Sequence, residues 1–150
     1  MSSMLNLTLP LKQDPDSKEK LKEIAKDFAS KYWPVIEKAL AKSGIVHHAR
    51  FVVIEDKYIQ ILTEYDGKFE VYTKFFAEEL ADIFRVLFKL VHGVPDNADP
   101  TKADELFGYI KSADISSLGG GEFHAYGNKT IADVKADIEL AASVRKLVNG

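Results

Sequence analysis

Cysteine is absent from the 150 residues, which excludes disulfides, thiolate metal ligation and thiol nucleophiles together. An excess of positive charge is absent too: 20 Lys and Arg face 23 Asp and Glu, for a net charge of -3. A mildly acidic chain with no basic run has no electrostatic footprint for nucleic acid, so no nucleic-acid partner is expected. No apolar run reaches the roughly 20 residues of a membrane span. The most apolar stretch, 69–91, is interrupted by Lys74, Glu78, Glu79, Asp82 and Arg85. Met1-Ser2-Ser3-Met4 carries neither a positive n-region nor the start of an apolar h-region, so the expectation is a cytoplasmic protein with no membrane partner. The four histidines form no His-x-x-x-His or His-Glu-x-x-His pattern. His47 and His48 cannot both reach one ion from a regular strand, so no protein-held metal is expected.

What is present is the make-up of a globular domain, 46% hydrophobic and 29% charged, at a length that suits one core; a single domain over 1–150 is expected. Leu5, Leu7, Leu9 and Leu11 alternate with Asn6, Thr8, Pro10 and Lys12, the period of a half-buried strand, with Pro10 at an edge or at the strand's end. Asp14-Pro15-Asp16-Ser17 turns into a helix, with Asp16 and Glu19 spaced for a reciprocal cap. Leu21, Ile24, Phe28, Tyr32, Ile36, Ala39 and Leu40 then recur at helical spacing up to a stop at Gly44, and Pro34 should kink or split this helix.

Val46 to Ile54 and Tyr58 to Tyr65 read as a hairpin closed by Glu55-Asp56-Lys57. After Asp66-Gly67, a second helix carries Tyr72, Phe76, Leu80, Ile83, Leu87 and Val91 on one stripe. Phe75, Phe84 and Phe88 widen that stripe beyond a one-sided surface helix. A shorter helix over about 102–110, a short strand from Glu122 to Tyr126 and a last helix beginning at Thr130-Ile131 complete the chain. The order β-α-β-β-α-(α)-β-α predicts an α+β, ferredoxin-like βαββαβ unit. It would have a four-stranded antiparallel sheet, an extra helical insertion and a C-terminal helix. Such a sheet leaves one face open, and a symmetric partner covering it would make a homodimer.

Three short runs stand out: His47-His48-Ala49-Arg50, Tyr65-Asp66-Gly67 and Phe123-His124-Ala125-Tyr126. In these the chain resembles a family of small ferredoxin-like proteins that form dimeric α/β barrels, many of them of unassigned function. The resemblance implies the same barrel, formed by two copies of the chain. Distant relatives of that fold bind haem or act on small organic substrates within the barrel.

From the residues themselves, His48 and Arg50 share a strand face, and with a three-residue hairpin loop Gln60 and Glu64 join them. His124 and Tyr126 share a face of the late strand. If the two faces coincide, His48, Arg50, Glu64, His124 and Tyr126 form a polar cluster on an apolar surface, the pattern of a ligand site. Arg50 reads either as a bidentate clamp for an anion or as a salt bridge across the hairpin to Glu64. His92 and His124 are the candidates for a haem axial ligand, although His92 also suits a helix C-terminus. Asp66, just before a helix, reads as a cap. The expected function is binding of a small anionic or aromatic organic ligand in a sheet-face pocket of a homodimer. The alternatives are a haem-dependent or cofactor-free oxidoreductase, or a non-enzymatic assembly module. No cofactor is specified by the sequence.

Overall fold

The computed structural model describes residues 2–94, 99, 102–113 and 129–149. The described residues form an α+β arrangement of three antiparallel strands, in the order β1-β3-β2, with helices against one face. β1 (Ser2–Pro10) buries Leu5, Leu7 and Leu9 on that face and keeps the residues between them partly accessible. This is the consequence of side chains alternating across a strand. β2 (Val46–Ile54) and β3 (Tyr58–Asp66) form the expected hairpin. Its turn holds Glu55 and Asp56 at φ of 50° and 54°, and Lys57 N–H donates to Ile54 O at 2.9 Å. Two left-handed residues give a turn whose twist matches that of the flanking strands. β1 pairs with the other edge of β3, from Ser2 opposite Asp66 to Pro10 opposite Tyr58.

α1 (Pro15–Asp27) starts two residues earlier than the Asp16–Glu19 box suggests. Asp14 is its cap and accepts from Ser17 N–H at 2.8 Å. Pro15 follows at the first helical position, where a missing N–H costs nothing. The expected disturbance at Pro34 takes the form of a π turn over Phe28–Tyr32, in which Trp33 N–H reaches back to Phe28 O. Proline has no N–H for the carbonyl four residues back and its ring crowds that carbonyl; a widened turn relieves both problems. α2 (Trp33–Ser43) ends at Gly44, whose φ of 65° is the left-handed stop that favours glycine.

The second helix expected from sequence is two: α3 (Phe69–Glu79) and α4 (Ala81–Leu90), broken at Leu80 with φ -119° and ψ 22°. Neither proline nor glycine causes the break. Leu80 is itself buried, and the bend keeps apolar side chains of both segments directed at the sheet. After α4, Val91 bridges Leu11, with His92 N–H donating to Pro10 O at 2.7 Å and Lys12 N–H to Leu90 O at 2.8 Å. α5 (Ala103–Ala113) matches the expected insertion, and α6 (Ile131–Asn149) is the C-terminal helix. The strand expected over Glu122–Tyr126 lies outside the described residues. The core sits between the sheet and α1 to α4, from Leu5, Leu7 and Leu9 to Ile36, Phe76 and Phe88.

Candidate functional site

A β-bulge interrupts β2 between Val46 and His48, leaving His47 as the extra residue. Beyond it His48 stands opposite Glu64, Arg50 opposite Leu62 and Val52 opposite Gln60. The hairpin loop has the three-residue form, so His48, Arg50, Gln60 and Glu64 share the sheet face directed away from the helices. His48 and Arg50 are exposed, and Glu64 accepts from Ser2 Oγ at 2.7 Å. Arg50 has no ion pair among the described residues, neither to Glu64 nor to another carboxylate. Its exposure removes the desolvation cost that a mid-strand arginine would otherwise carry. His124 and Tyr126 lie outside the described residues. His92 is exposed after the end of α4.

Asp66 is a cap, but of a different helix from the one that follows it. The N-cap position of α3 is Lys68, which makes no side-chain capping bond. Asp66 instead accepts Ile131 N–H through Oδ2 at 2.8 Å, and its Oδ1 meets His47 Nε2 at 2.9 Å. The bulge and the start of α6 are thereby tied to one carboxylate. Burial alone would raise the Asp66 carboxyl, yet the bonds from His47 and Ile131 hold it below its ordinary value.

A deep apolar concavity lies on the other side of the sheet. A cavity of about 290 Å³ opens between the sheet and the helices. Leu5, Leu7, Ile61 and Thr63 form its floor, Ile36 and Leu40 of α2 one wall, and Tyr72, Thr73 and Phe76 of α3 another. Ile24, Ala25 and Phe28 of the first arm face Ile83, Val86 and Leu87 of α4 across it. These six are all at least partly accessible, as are Val53 and Ile59 on the strands, whereas Leu5, Leu7, Ile61, Thr63, Tyr72 and Phe76 are buried. The cavity therefore runs from an accessible cleft between α1 and α4 to a closed end at the middle of β3. The π turn shapes its rim, since Phe28 and Tyr32, the first and last residues of the turn, both line it.

Polar atoms are few here, and those at the closed end are paired. Thr63 Oγ1 and Tyr72 OH are 2.9 Å apart, and Thr73 Oγ1 donates to Phe69 O at 2.7 Å. Tyr65 stacks on Tyr72 with ring centroids 4.1 Å apart. Burial pushes the Tyr72 phenol up to about 12, so it stays protonated and neutral. No charged side chain lines the cavity among the described residues.

Sequence reasoning read the aromatic stripe of α3 and α4 as wider than that of a one-sided surface helix, and placed the candidate site on the sheet face that carries His48 and Arg50. One signal was available. Thr63 is the single non-aromatic polar residue in the helix-facing row of β3, between Ile61 and Tyr65. Tyr72 has no comparable local signature, because its partner is supplied by another element. Neither a protein-family model nor a curated protein nor a solved structure matches this chain.

Proposed function

We propose that this protein binds a small apolar organic molecule in the cavity between its sheet and its helices. The observation that carries this reading is the cavity itself: about 290 Å³, lined by aliphatic and aromatic side chains and accessible between α1 and α4. Ligand sites are concave and mostly apolar, with a few placed polar groups, which is the composition found here. A 150 Å³ apolar cavity holds one benzene, so this one accommodates roughly two such units. That volume favours an aromatic or aliphatic ligand over a haem, whose macrocycle is larger. His48, Arg50 and Glu64 lie on the other face and would take no part in holding the molecule.

The test is organic extraction of protein purified without detergent, analysed by mass spectrometry, alongside binding of the neutral dye Nile red. A co-purified apolar compound, or one-to-one dye binding that such a compound displaces, supports the reading. An empty extract with no dye binding sinks it.

A second reading concerns assembly, and a separate observation favours it. α6 exposes Ile138, Leu140, Val144, Leu147 and Val148, at 48–84% accessibility. A helix apolar over more than half its girth is normally covered on two sides. The amide of its first residue, Ile131, donates to Asp66, which belongs to the outward sheet row of Leu62 and Glu64. We propose that a second copy of the chain covers this helix and the open sheet face in a two-fold dimer. Reciprocal burial of two such arms, each about 28 Å long, would remove on the order of 1,500–2,000 Å² from water, the size of a standard stable interface. A fourth strand beside β1 would complete the ferredoxin-like sheet, and two sheets face to face would make the barrel. Sedimentation equilibrium tests the dimer: a monomer at every concentration removes it.

A further inference from the structure

We infer that the ligand is a neutral molecule carrying one hydrogen-bond-accepting oxygen, of the carbonyl type, that meets the Thr63–Tyr72 hydroxyl pair. This inference rests on the cavity reading above and names the chemistry of its occupant.

Two hydroxyl groups bring two protons. With Thr63 Oγ1 and Tyr72 OH 2.9 Å apart, the bond between them uses one proton, whichever group donates. The second proton has no acceptor among the described residues. Thr63 is 2% and Tyr72 6% accessible, so bulk water does not supply one. A buried donor left unmade is unfavourable, and native structures usually satisfy it. Both side chains line the cavity, so a ligand acceptor at its closed end would complete the pair. Thr73, the next hydroxyl on that wall, gives its proton to Phe69 O and adds no further donor. The closed end thus offers a single free donor within an apolar surface, the Tyr32 phenol standing at the rim.

The same surroundings select against charge. A carboxylate or phosphate placed at the closed end would leave water for an environment without a cation to pair it, which is strongly unfavourable. A carbonyl oxygen accepts one hydrogen bond and keeps the remainder of the molecule apolar, which matches what the walls present.

Three probes matched in size separate these chemistries: 2-acetylnaphthalene, 2-isopropylnaphthalene and 2-naphthoate. Trp33 is the single tryptophan of the chain. Its ring lies 6.2 Å from that of Phe28 and 6.1 Å from that of Phe51, both cavity residues, so its fluorescence reports occupancy. The informative variant is Thr63→Val with Tyr72→Phe. It removes both hydroxyls while keeping their shapes, an exchange that is close to neutral for stability.

The wild-type protein should bind both neutral probes and bind the naphthoate at least about tenfold more weakly than the ketone. In the double variant the ketone should weaken by about fivefold to tenfold while the hydrocarbon stays within about twofold. Equal binding of ketone and naphthoate, or a ketone affinity that the double variant leaves unchanged, overturns the inference alone. Failure of both neutral probes to bind the wild type overturns the cavity reading and this inference with it. If the variant does not fold, the infrared carbonyl stretch of the ketone bound to wild type decides: a frequency below its value in hydrocarbon solvent supports the hydrogen bond, and an unshifted one overturns it.

Discussion

His47 Nε2 lies 2.9 Å from Asp66 Oδ1, and the other oxygen of that carboxylate accepts the amide of Ile131. A bulge in β2, the end of β3 and the first turn of α6 meet at a single side chain. Both members of the pair are largely buried, at 16% and 14% side-chain accessibility. Hydrogen bonds to a charged group contribute about 1.5–3 kcal/mol, so Asp66→Ala should lower stability by roughly 2–3 kcal/mol. Urea denaturation measures the loss, and hydrogen exchange should show the first turn of α6 protected less. A loss near zero would mean that α6 is held elsewhere.

The same carboxylate makes stability fall in acid. Its folded pKa lies below the ordinary 3.8 because the His47 and Ile131 bonds outweigh burial, which acts the other way. A depressed carboxyl contributes stability that is fully present above the unfolded value and lost as pH falls through the folded one. Urea midpoints at neutral pH and below pH 3 should therefore drop further for the wild type than for Asp66→Asn, which cannot ionise. Parallel profiles for the two proteins would refute this.

Tyr72 produces the opposite dependence at high pH. Burial raises its phenol from 10.0 to about 12. A raised folded value means that its contribution is present below pH 10 and lost as pH rises towards 12. Two units correspond to about 3 kcal/mol. Tyr72→Phe should cost about 1 kcal/mol at neutral pH, where Thr63 loses its partner, and the two stability curves should converge or cross as pH rises. Curves that stay parallel would show that the phenol does not titrate with unfolding.

Leu87 stands on the α4 side of the cleft, partly accessible and lining the cavity. Leu87→Trp should fill the passage between α1 and α4. Added buried apolar surface of about 1 kcal/mol would raise Tm by about 2–4 °C, while affinity for 2-isopropylnaphthalene should drop at least about tenfold. Calorimetry and fluorescence titration read the two effects. A higher Tm with unchanged affinity would place the ligand elsewhere.

Ile138 and Val144 are 63% and 48% accessible on α6. In a monomer, exposed substitutions of this kind stay within about 0.5 kcal/mol, so Ile138→Glu with Val144→Glu would leave the unfolding curve unchanged. In a dimer sealed by α6 the buried charges would weaken association at least about 100-fold. Sedimentation of the variant against the wild type decides between the two.

Much of the fold was legible from local pattern. The alternation of Leu5, Leu7 and Leu9 with polar neighbours marks β1 because side chains alternate across a strand. Alternation within β2 put His48 and Arg50 on one face, but the loop length after Ile54 was open in the sequence, and only the register of the folded hairpin adds Glu64 to that face. Gly44 and Pro34 act through their own backbone chemistry, so the helix stop and the disturbance near Trp33 could both be read from sequence. In contrast, the break at Leu80 was hidden because it has no glycine or proline to announce it. It is imposed by what both halves of the helix bury.

By itself the sequence determined an α+β chain with an amphipathic hairpin, an apolar helical layer and no membrane-length apolar run, since sterics, side-chain periodicity and composition act over a few neighbouring residues. Only the tertiary structure decided what those surfaces do. The capping of Ile131 by Asp66 spans 65 positions, and the Thr63–Tyr72 bond joins a strand to a helix across the cavity floor. Contacts of this kind have no local signature, because each depends on where two separately formed elements come to rest. The cavity is the furthest case: it is a volume left between sheet and helices by the packing of many side chains, and no single residue encodes it.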